Sequence, residues 1–484
     1  MTGAELLELE ADLEQYLASY DELMGRRENR ENLRRFARGQ LGTVERKSLE
    51  PLADAEGVEP RSLQEFFSRH RWDTEGVRTQ LQRRIAEAYG GPDGIFLVDE
   101  TSDAKKGAMT AGVARQYCGA TGKIDNCIVS VHLAYARGAF HSLLDGELFL
   151  PECWNANAAD PQIQEKRRLA AIPVGVGHVA KPEMALQMLA RALRNRVPGR
   201  WVGADELYGR SPAWRAGVAA LSLYYVVEVP KNLEGWLRRP TLGPPPPWRG
   251  RGRPPTRREP DPPARTVEAW AAQAGGWRGP WSQFRVHDTQ KGPEVWEARW
   301  ARFYEAAERA PCGPQKLIVA RNVRTGEVKY FLTNAPDQYA LVALLGVAFS
   351  RWRVERCFQD AKEELGLDHA EMRKYLALQR QLLLTAVNLL FLRQWQLAHG
   401  QAKQKDLTLS QVADALQVLL ACKVEGIMTR RQLRVLAEQL AAKITRTQAR
   451  NRRARRSACK RRRRELRALG VRLTHLRCCD KVSL

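Results

Sequence analysis

Gly94-Ile95-Phe96-Leu97-Val98-Asp99 is the stretch on which the fold turns. Four consecutive apolar residues between a glycine and an acid fit a strand buried on both faces. Forward of it, Ala111–Tyr117 and Cys127–Ala136 read as further strands, the second set between Gly122 and Gly138. Ala139–Leu150 reads as another, broken by the turn signal Asp145-Gly146. Glu183–Arg194 then has helical periodicity, Trp201–Ala204 that of a strand, Pro212–Ala220 that of a helix and Tyr224–Val229 that of a strand. These early strands followed by alternating helix and strand predict a mixed α/β sheet.

Backward of Gly94, residues 1–90 read as helices: Glu5–Leu23, Ser48–Ala55 and Pro60–Phe67 carry apolar residues at three- and four-residue spacing. Arg34, Arg35, Arg38, Arg61, Arg69 and Arg71 make this region locally basic, so it is either a plain helical bundle or a DNA-binding helical domain. The expected division continues with a first core part at 91–230 and an insertion at 231–335. The insertion opens on a Pro/Arg-rich linker around Gly243–Pro263, which cannot build a packed core. It closes on a hairpin, Leu317–Asn322 and Val328–Leu332 about Arg324-Thr-Gly-Glu327. A second, helical core part follows at 336–400, then a helical C-terminal region at 401–484 that ends in a basic run.

With 484 residues the chain is too long for one compact core, and 44% apolar residues exclude wholesale disorder. Of its net charge of +23, +13 falls between Arg446 and Arg477, where Glu465 is the single acid. Such a chain repels itself without a polyanion, so nucleic acid is the expected partner. No apolar run reaches the roughly 18 residues of a membrane span. The start MTGAELLELEADLEQYL is acidic and amphipathic, unlike a signal peptide. Nine cysteines, odd in number and with no CxxC pair, argue against a disulfide frame or a zinc ribbon, and a reducing, cytoplasmic setting fits.

Three acids stand out. Asp99 and Asp205 each follow an apolar strand, where α/β sheets commonly present their sites; singly, each also fits a turn residue or a helix cap. Glu355 lies in Arg351–Lys362, whose apolar stripe is Val354, Phe358, Ala361 and Leu365. Arg351, Glu355 and Lys362 fall on one edge of that helix, about a quarter-turn from the stripe; a surface ion-pair row would look the same. Three converging carboxylates repel unless a cation joins them. Two Mg²⁺ ions (with Mn²⁺ as a substitute) would relieve that repulsion, and would suit phosphodiester chemistry, with Arg351 and Lys362 on the DNA backbone.

From about Arg46 to Tyr375 the sequence resembles the DDE transposases of bacterial insertion sequences. Val98-Asp99-Glu100-Thr101, Lys105-Lys106-Gly107, Gly112–Tyr117, Gly119, Gly122-Lys123 and Asn126-Cys127 are similar to that family's first catalytic block. Leu150-Pro-Glu152 with Trp154 follows. Ala204-Asp205 with Tyr208-Gly209 resembles the second block, and Arg351-Trp352, Val354-Glu355, Phe358, Lys362, Glu364–His369 and Arg373 the third. The resemblance implies an RNase H-like α/β core split by a β-containing insertion, with helical regions at both ends. It implies Asp99, Asp205 and Glu355 as catalytic, metal-binding triad, and Arg351 and Lys362 as the basic members of a Tyr-Arg-Glu-Lys signature whose Tyr falls at Ala348. Glu100, Tyr375 and Gln381 replace an Asp, a Trp and a His of the pattern. The implied activity is metal-dependent cleavage of transposon ends and strand transfer into target DNA, by a dimer in the synaptic complex, in a bacterial cytoplasm at the nucleoid. The alternatives are an inactive or domesticated DNA-binding protein and a nuclease without strand transfer.

Other basic residues offer further DNA contacts. Lys105 and Lys106 suit phosphate, or simply a solvated loop. Arg251-Gly-Arg253-Pro254 resembles an AT-hook core, in which Arg251 and Arg253 would enter a minor groove, though an ordinary linker reads the same. The Arg446–Arg464 run suits non-specific attraction to phosphate. Trp296 and Trp300 could stack on an extruded base or pack the insertion.

Overall fold

The computed structural model of the chain describes residues 2–156, 160–245, 247–248, 250–251, 253, 256, 258–307, 310–400, 407–424 and 429–479. They group into two compact units, one of residues 1–199 with 352–454, the other of 200–351 with 455–484.

In the first unit, helices Gly3–Ala18, Arg27–Leu41, Leu49–Ala55, Pro60–Ser68 and Thr74–Tyr89 bear out the helical reading of the N-terminal region. The first begins at a capping box, in which Thr2 Oγ1 accepts from Glu5 N–H and the Glu5 carboxylate accepts from Thr2 N–H. Its buried face is Leu6, Leu9, Leu13, Tyr16 and Leu17, the three-and-four spacing of an amphipathic helix.

The sheet of this unit is antiparallel: β1 (Ile95–Ala104) pairs β3 (Lys123–Arg137), and β3 also pairs β2 (Ala114–Cys118) and β4 (Phe140–Leu148). Three expectations are corrected here. The first strand does not end at Val98: it stays paired with β3 as far as Ala104 opposite Cys127, so Asp99 lies within the strand. Pairing with a distant segment carries the backbone through Asp99–Ala104, whose own composition is polar. The second strand starts at Ala114 because Gly112 takes a φ of +78°, with Phe149 O too close to admit a side chain. Finally, Asp145-Gly146 makes no turn. A register shift opposite Leu133/Ala134 lets β4 run through. The Asp145 carboxylate is buried against Arg78 and Arg191, and the His132 ring occupies the space where Gly146 lacks a side chain.

Helix Trp352–Leu365 packs on β1, β3 and β4, and helix Tyr375–Gly400 lies across β4. The latter is long and apolar enough to cross a bilayer, but 83% of its apolar window is buried inside the unit. It is the unit's central core helix, packed by Tyr16, Phe66 and Phe67 among others.

The second unit holds a mixed sheet. β5 (Trp201–Ala204) runs parallel to β6 (Tyr224–Glu228) with helix Pro212–Ala220 between them in sequence. β6 then pairs antiparallel with Val328–Thr333, which continues antiparallel through Ala310–Asn322 and Gly292–Ala307 to Arg278–Thr289. The predicted hairpin about Arg324–Glu327 is present, with Gly326 at φ +74°. The mixed α/β class read from the sequence therefore stands.

Candidate active site

Asp99 is the fifth residue of β1, paired in register with His132 of β3, and is nearly buried. Its Oδ1 accepts the Glu100 N–H at 2.9 Å, which fixes the rotation of the carboxylate. Glu100 points to the helix Lys181–Arg194, where Lys181 Nζ meets it at 3.0 Å. His132 is wholly buried: its Nε2 lies 2.8 Å from Ser130 Oγ and its ring stands edge-on to Phe358, centroids 5.2 Å apart. Burial pushes its pKa down to about 4, with Lys362 adding to the effect, so it is a neutral packing group.

Glu355 is exposed on helix Trp352–Leu365, about a quarter-turn from a buried stripe of Val354, Phe358, Ala361 and Leu365, as the spacing predicts. The helix runs from Trp352, with Arg351 in the turn that leads into it. A buried carboxylate five residues beyond Glu355 anchors the helix. Asp360 Oδ2 accepts from Arg393 Nη2 at 2.6 Å, and its Oδ1 forms an ion pair with Arg356 Nη2 at 2.6 Å. Sequence reading missed this: Asp360 sits on the inward face like an error of pattern, and its partner is 33 residues away.

Of the expected phosphate contacts, Lys362 is half-buried and donates to Ser102 O at 3.4 Å, tying the Glu355 helix to the strand that carries Asp99. Lys105 is engaged inside the unit by Asp103 and by Ala370 O. Burial drives the Asp103 carboxyl up to about 6 despite Lys105 beside it. Lys106 is exposed.

In the second unit, Asp205 directly follows β5 and caps the short helix Glu206–Gly209, with Oδ1 accepting Leu207 N–H at 2.9 Å. Gly209 cannot carry a side chain, because a Cβ would overlap Glu228 O. Its carbonyl accepts from Arg215, whose other terminal nitrogen pairs with Glu305 in a fully buried ion pair. That bolt under the Asp205 turn was not legible, since Glu305 lies 90 residues on, in strand Gly292–Ala307. Arg251 and Arg253 are exposed; Gly252 and Pro254 of the same motif lie outside the described residues. Trp296 is buried against Phe349, which suits packing, and Trp300 is half-buried under Lys316.

The donor chemistry around Asp99 and Glu355 is carboxylate oxygen, the kind that hard divalent cations take. Among the described residues, no group of three or more His, Cys, Asp or Glu side chains is gathered to hold a metal ion.

A family model for the DDE superfamily endonucleases matches residues 19–293, and the chain belongs to that family. The match covers both Asp99 and Asp205. Endonucleases of this family generally use divalent metal ions. Among its relatives, the probable transposase for insertion sequence element IS701 of Microchaete diplosiphon is 31% identical over 196 residues, 40% of this chain and 47% of its own length. The chain thus matches about half the length of that relative.

Proposed function

We propose that the chain is a transposase that cuts the ends of an insertion sequence and joins them to target DNA. The observation that carries this reading is the pair of backbone-oriented carboxylates, Asp99 in β1 and Asp205 at the end of β5, both inside the span that matches the endonuclease family. Residues 91–230 and 336–400 would form an RNase H-like core split by the insertion 231–335. Residues 1–90 would grip DNA, and 401–484 would add a basic helical region. Asp99, Asp205 and Glu355 would hold two Mg²⁺ ions, with Mn²⁺ able to replace them. When bound, these supply Lewis-acid charge stabilisation for hydrolysis and transesterification of a phosphodiester.

The chain's own contribution is orientation. Backbone amides hold the carboxylates of Asp99 and Asp205 at fixed rotations, and Asp360 and Lys362 seat the Glu355 helix. Lys106, Arg351, Lys362, Arg251 and Arg253 are the proposed DNA contacts, and Lys105 supports the loop before Lys106. The substrates are double-stranded transposon ends and target DNA, brought together by a dimer at the bacterial nucleoid.

The test is Mg²⁺-dependent release and joining of end-containing DNA by wild type, Asp99→Asn, Asp205→Ala and Glu355→Gln. Each substitution is expected to lower both activities about a thousandfold while DNA binding persists. Equal activity of wild type and Asp205→Ala would refute the proposal.

A further inference from the structure

We propose that the hairpin formed by β2 and the start of β3 is a wedge that inserts between base pairs and unwinds the duplex; this rests on the DNA reading above. The two rows of side chains in this hairpin behave oppositely. The inward row includes Cys118 and Cys127, both fully buried with Val129 and against Phe149. The outward row is Arg115 and Tyr117 on β2 and Ile124 on β3, with Tyr117 directly opposite Ile124. Alternation predicts a polar outer face, yet Tyr117 is 66% and Ile124 63% exposed. An aromatic and a β-branched side chain side by side on a projecting hairpin form an apolar edge that water disfavours.

Charge selects the occupant. From Ala104 to Ile124 there is no acidic residue; Arg115 shares the face of the apolar pair, Lys106 is exposed in the preceding loop, and Lys123 is exposed at the tip, in register with Cys118 on the other face, where half-buried Asp125 also lies. A second copy docking through the same face would set Arg115 and the tip cation Lys123 against their counterparts, with no acid on that face to pair them. A duplex offers phosphates to the rim and base faces to the tip, and apolar side chains entering a base step are a known means of kinking DNA. The tip is compact: Thr121 and Gly122 both donate to Cys118 O, and Gly122 takes a φ of +68°. It is also firmly rooted. Ala120 N–H donates to Ser102 Oγ, three residues beyond Asp99 in β1, and Asn126 Nδ2 donates to the carbonyls of Lys105 and Gly107. A rigid wedge carried by the strand of Asp99 would distort DNA beside the cleaved bond.

The experiment uses the full chain on a closed circular plasmid, treated in EDTA with a metal-independent topoisomerase and then deproteinised. Wild type is expected to leave the plasmid negatively supercoiled in proportion to protein bound. Tyr117→Thr/Ile124→Thr, which keeps strand propensity, should bind the same plasmid within about threefold of wild type and leave its linking number at the protein-free value. Arg115→Gln/Lys123→Gln, which keeps the apolar pair, should bind more weakly but unwind equally per bound molecule. Wild type bound at saturation without unwinding would overturn the proposal. So would unwinding by the Tyr117→Thr/Ile124→Thr variant, or a drop in its association state without DNA, which would assign the face to a second copy. Failure of wild type to bind the plasmid at low salt would instead sink the DNA reading itself.

Discussion

Asp360 and Arg393 form an ion pair of 2.6 Å in which both side chains are almost wholly removed from water, joining the helix that carries Glu355 to the central helix of its unit. Arg356 completes a triad on the same carboxylate. Buried charges of this kind add little net stability over apolar packing, but removing one partner strands the other. Asp360→Ala should therefore cost about 3–5 kcal/mol, read by urea unfolding. The double variant Asp360→Leu/Arg393→Leu should recover most of that loss. If the triad serves to seat Glu355, the double variant will fold well yet need more Mg²⁺ for half-maximal cleavage. A double variant with wild-type metal dependence would show that the triad does not set the helix.

Asp205 carries two separable burdens, the cap of helix Glu206–Gly209 and the carboxylate charge. Asn is as good a cap as Asp, whereas Ala removes the acceptor. Asp205→Asn should keep the melting temperature of wild type and lose cleavage. Asp205→Ala should lose cleavage and also about 1 kcal/mol of stability. Cleavage by a folded Asp205→Asn enzyme would remove Asp205 from the proposed metal ligands.

Beneath the same turn, the buried pair Arg215–Glu305 links Gly209 O to strand Gly292–Ala307. Glu305→Ala should destabilise the protein by about 3–5 kcal/mol, measurable by calorimetry, because Arg215 then stays buried without its carboxylate. A loss below about 1 kcal/mol, the range of exposed pairs, would mean that strand Gly292–Ala307 does not clamp the turn.

Much of this architecture was legible in the sequence, and the failures share one cause. Local patterns located β5, helix Pro212–Ala220 and the hairpin about Gly326, where short-range periodicity and turn chemistry decide the backbone. They failed at Asp99–Ala104 and Asp145-Gly146, where polar residues are held in strands by a partner strand and by Arg78 and Arg191. The candidate acids were found because carboxylates beside apolar runs are conspicuous. Their supports, Asp360–Arg393 and Arg215–Glu305, were not found, because they join residues far apart in sequence. Lys105 looked like a phosphate ligand for the same reason: nothing nearby in sequence announces Ala370 O as its acceptor.

His132 gives the stability a pH signature. Its folded-state pKa of about 4 lies below the usual value of 6.5, so the unfolded chain takes up the proton first. The stabilisation is thus complete above pH 6.5 and is lost as pH falls toward 4, to a limit of roughly 3 kcal/mol. Buried His141, also pushed down by burial, adds in the same direction. Urea midpoints measured between these pH values should therefore fall less steeply for His132→Gln than for wild type. Parallel slopes would show that His132 titrates normally and is not sealed against Phe358.

Helix Arg430–Ala468 bears the chain's main reserve of positive charge, and its C-terminal part shows two distinct faces. Arg462 pairs with Glu294, and Leu466 packs with Val295 and Val471, so that side is committed to the second unit. Arg456, Lys460, Arg463 and Arg467, spaced by four, three and four residues, line the exposed side. Like charges at these spacings weaken a helix unless an anion lies along them, and duplex phosphates are the anions that the proposed function supplies. Each phosphate neutralised contributes about 0.9 to the slope of log affinity against log salt. Replacing all four residues by Gln should reduce that slope by roughly 3 to 4, without changing which sequence is preferred, in filter-binding titrations over a salt series. An unchanged slope would place the phosphate contacts elsewhere, and leave the exposed stripe as a solvated face whose charge serves only long-range attraction.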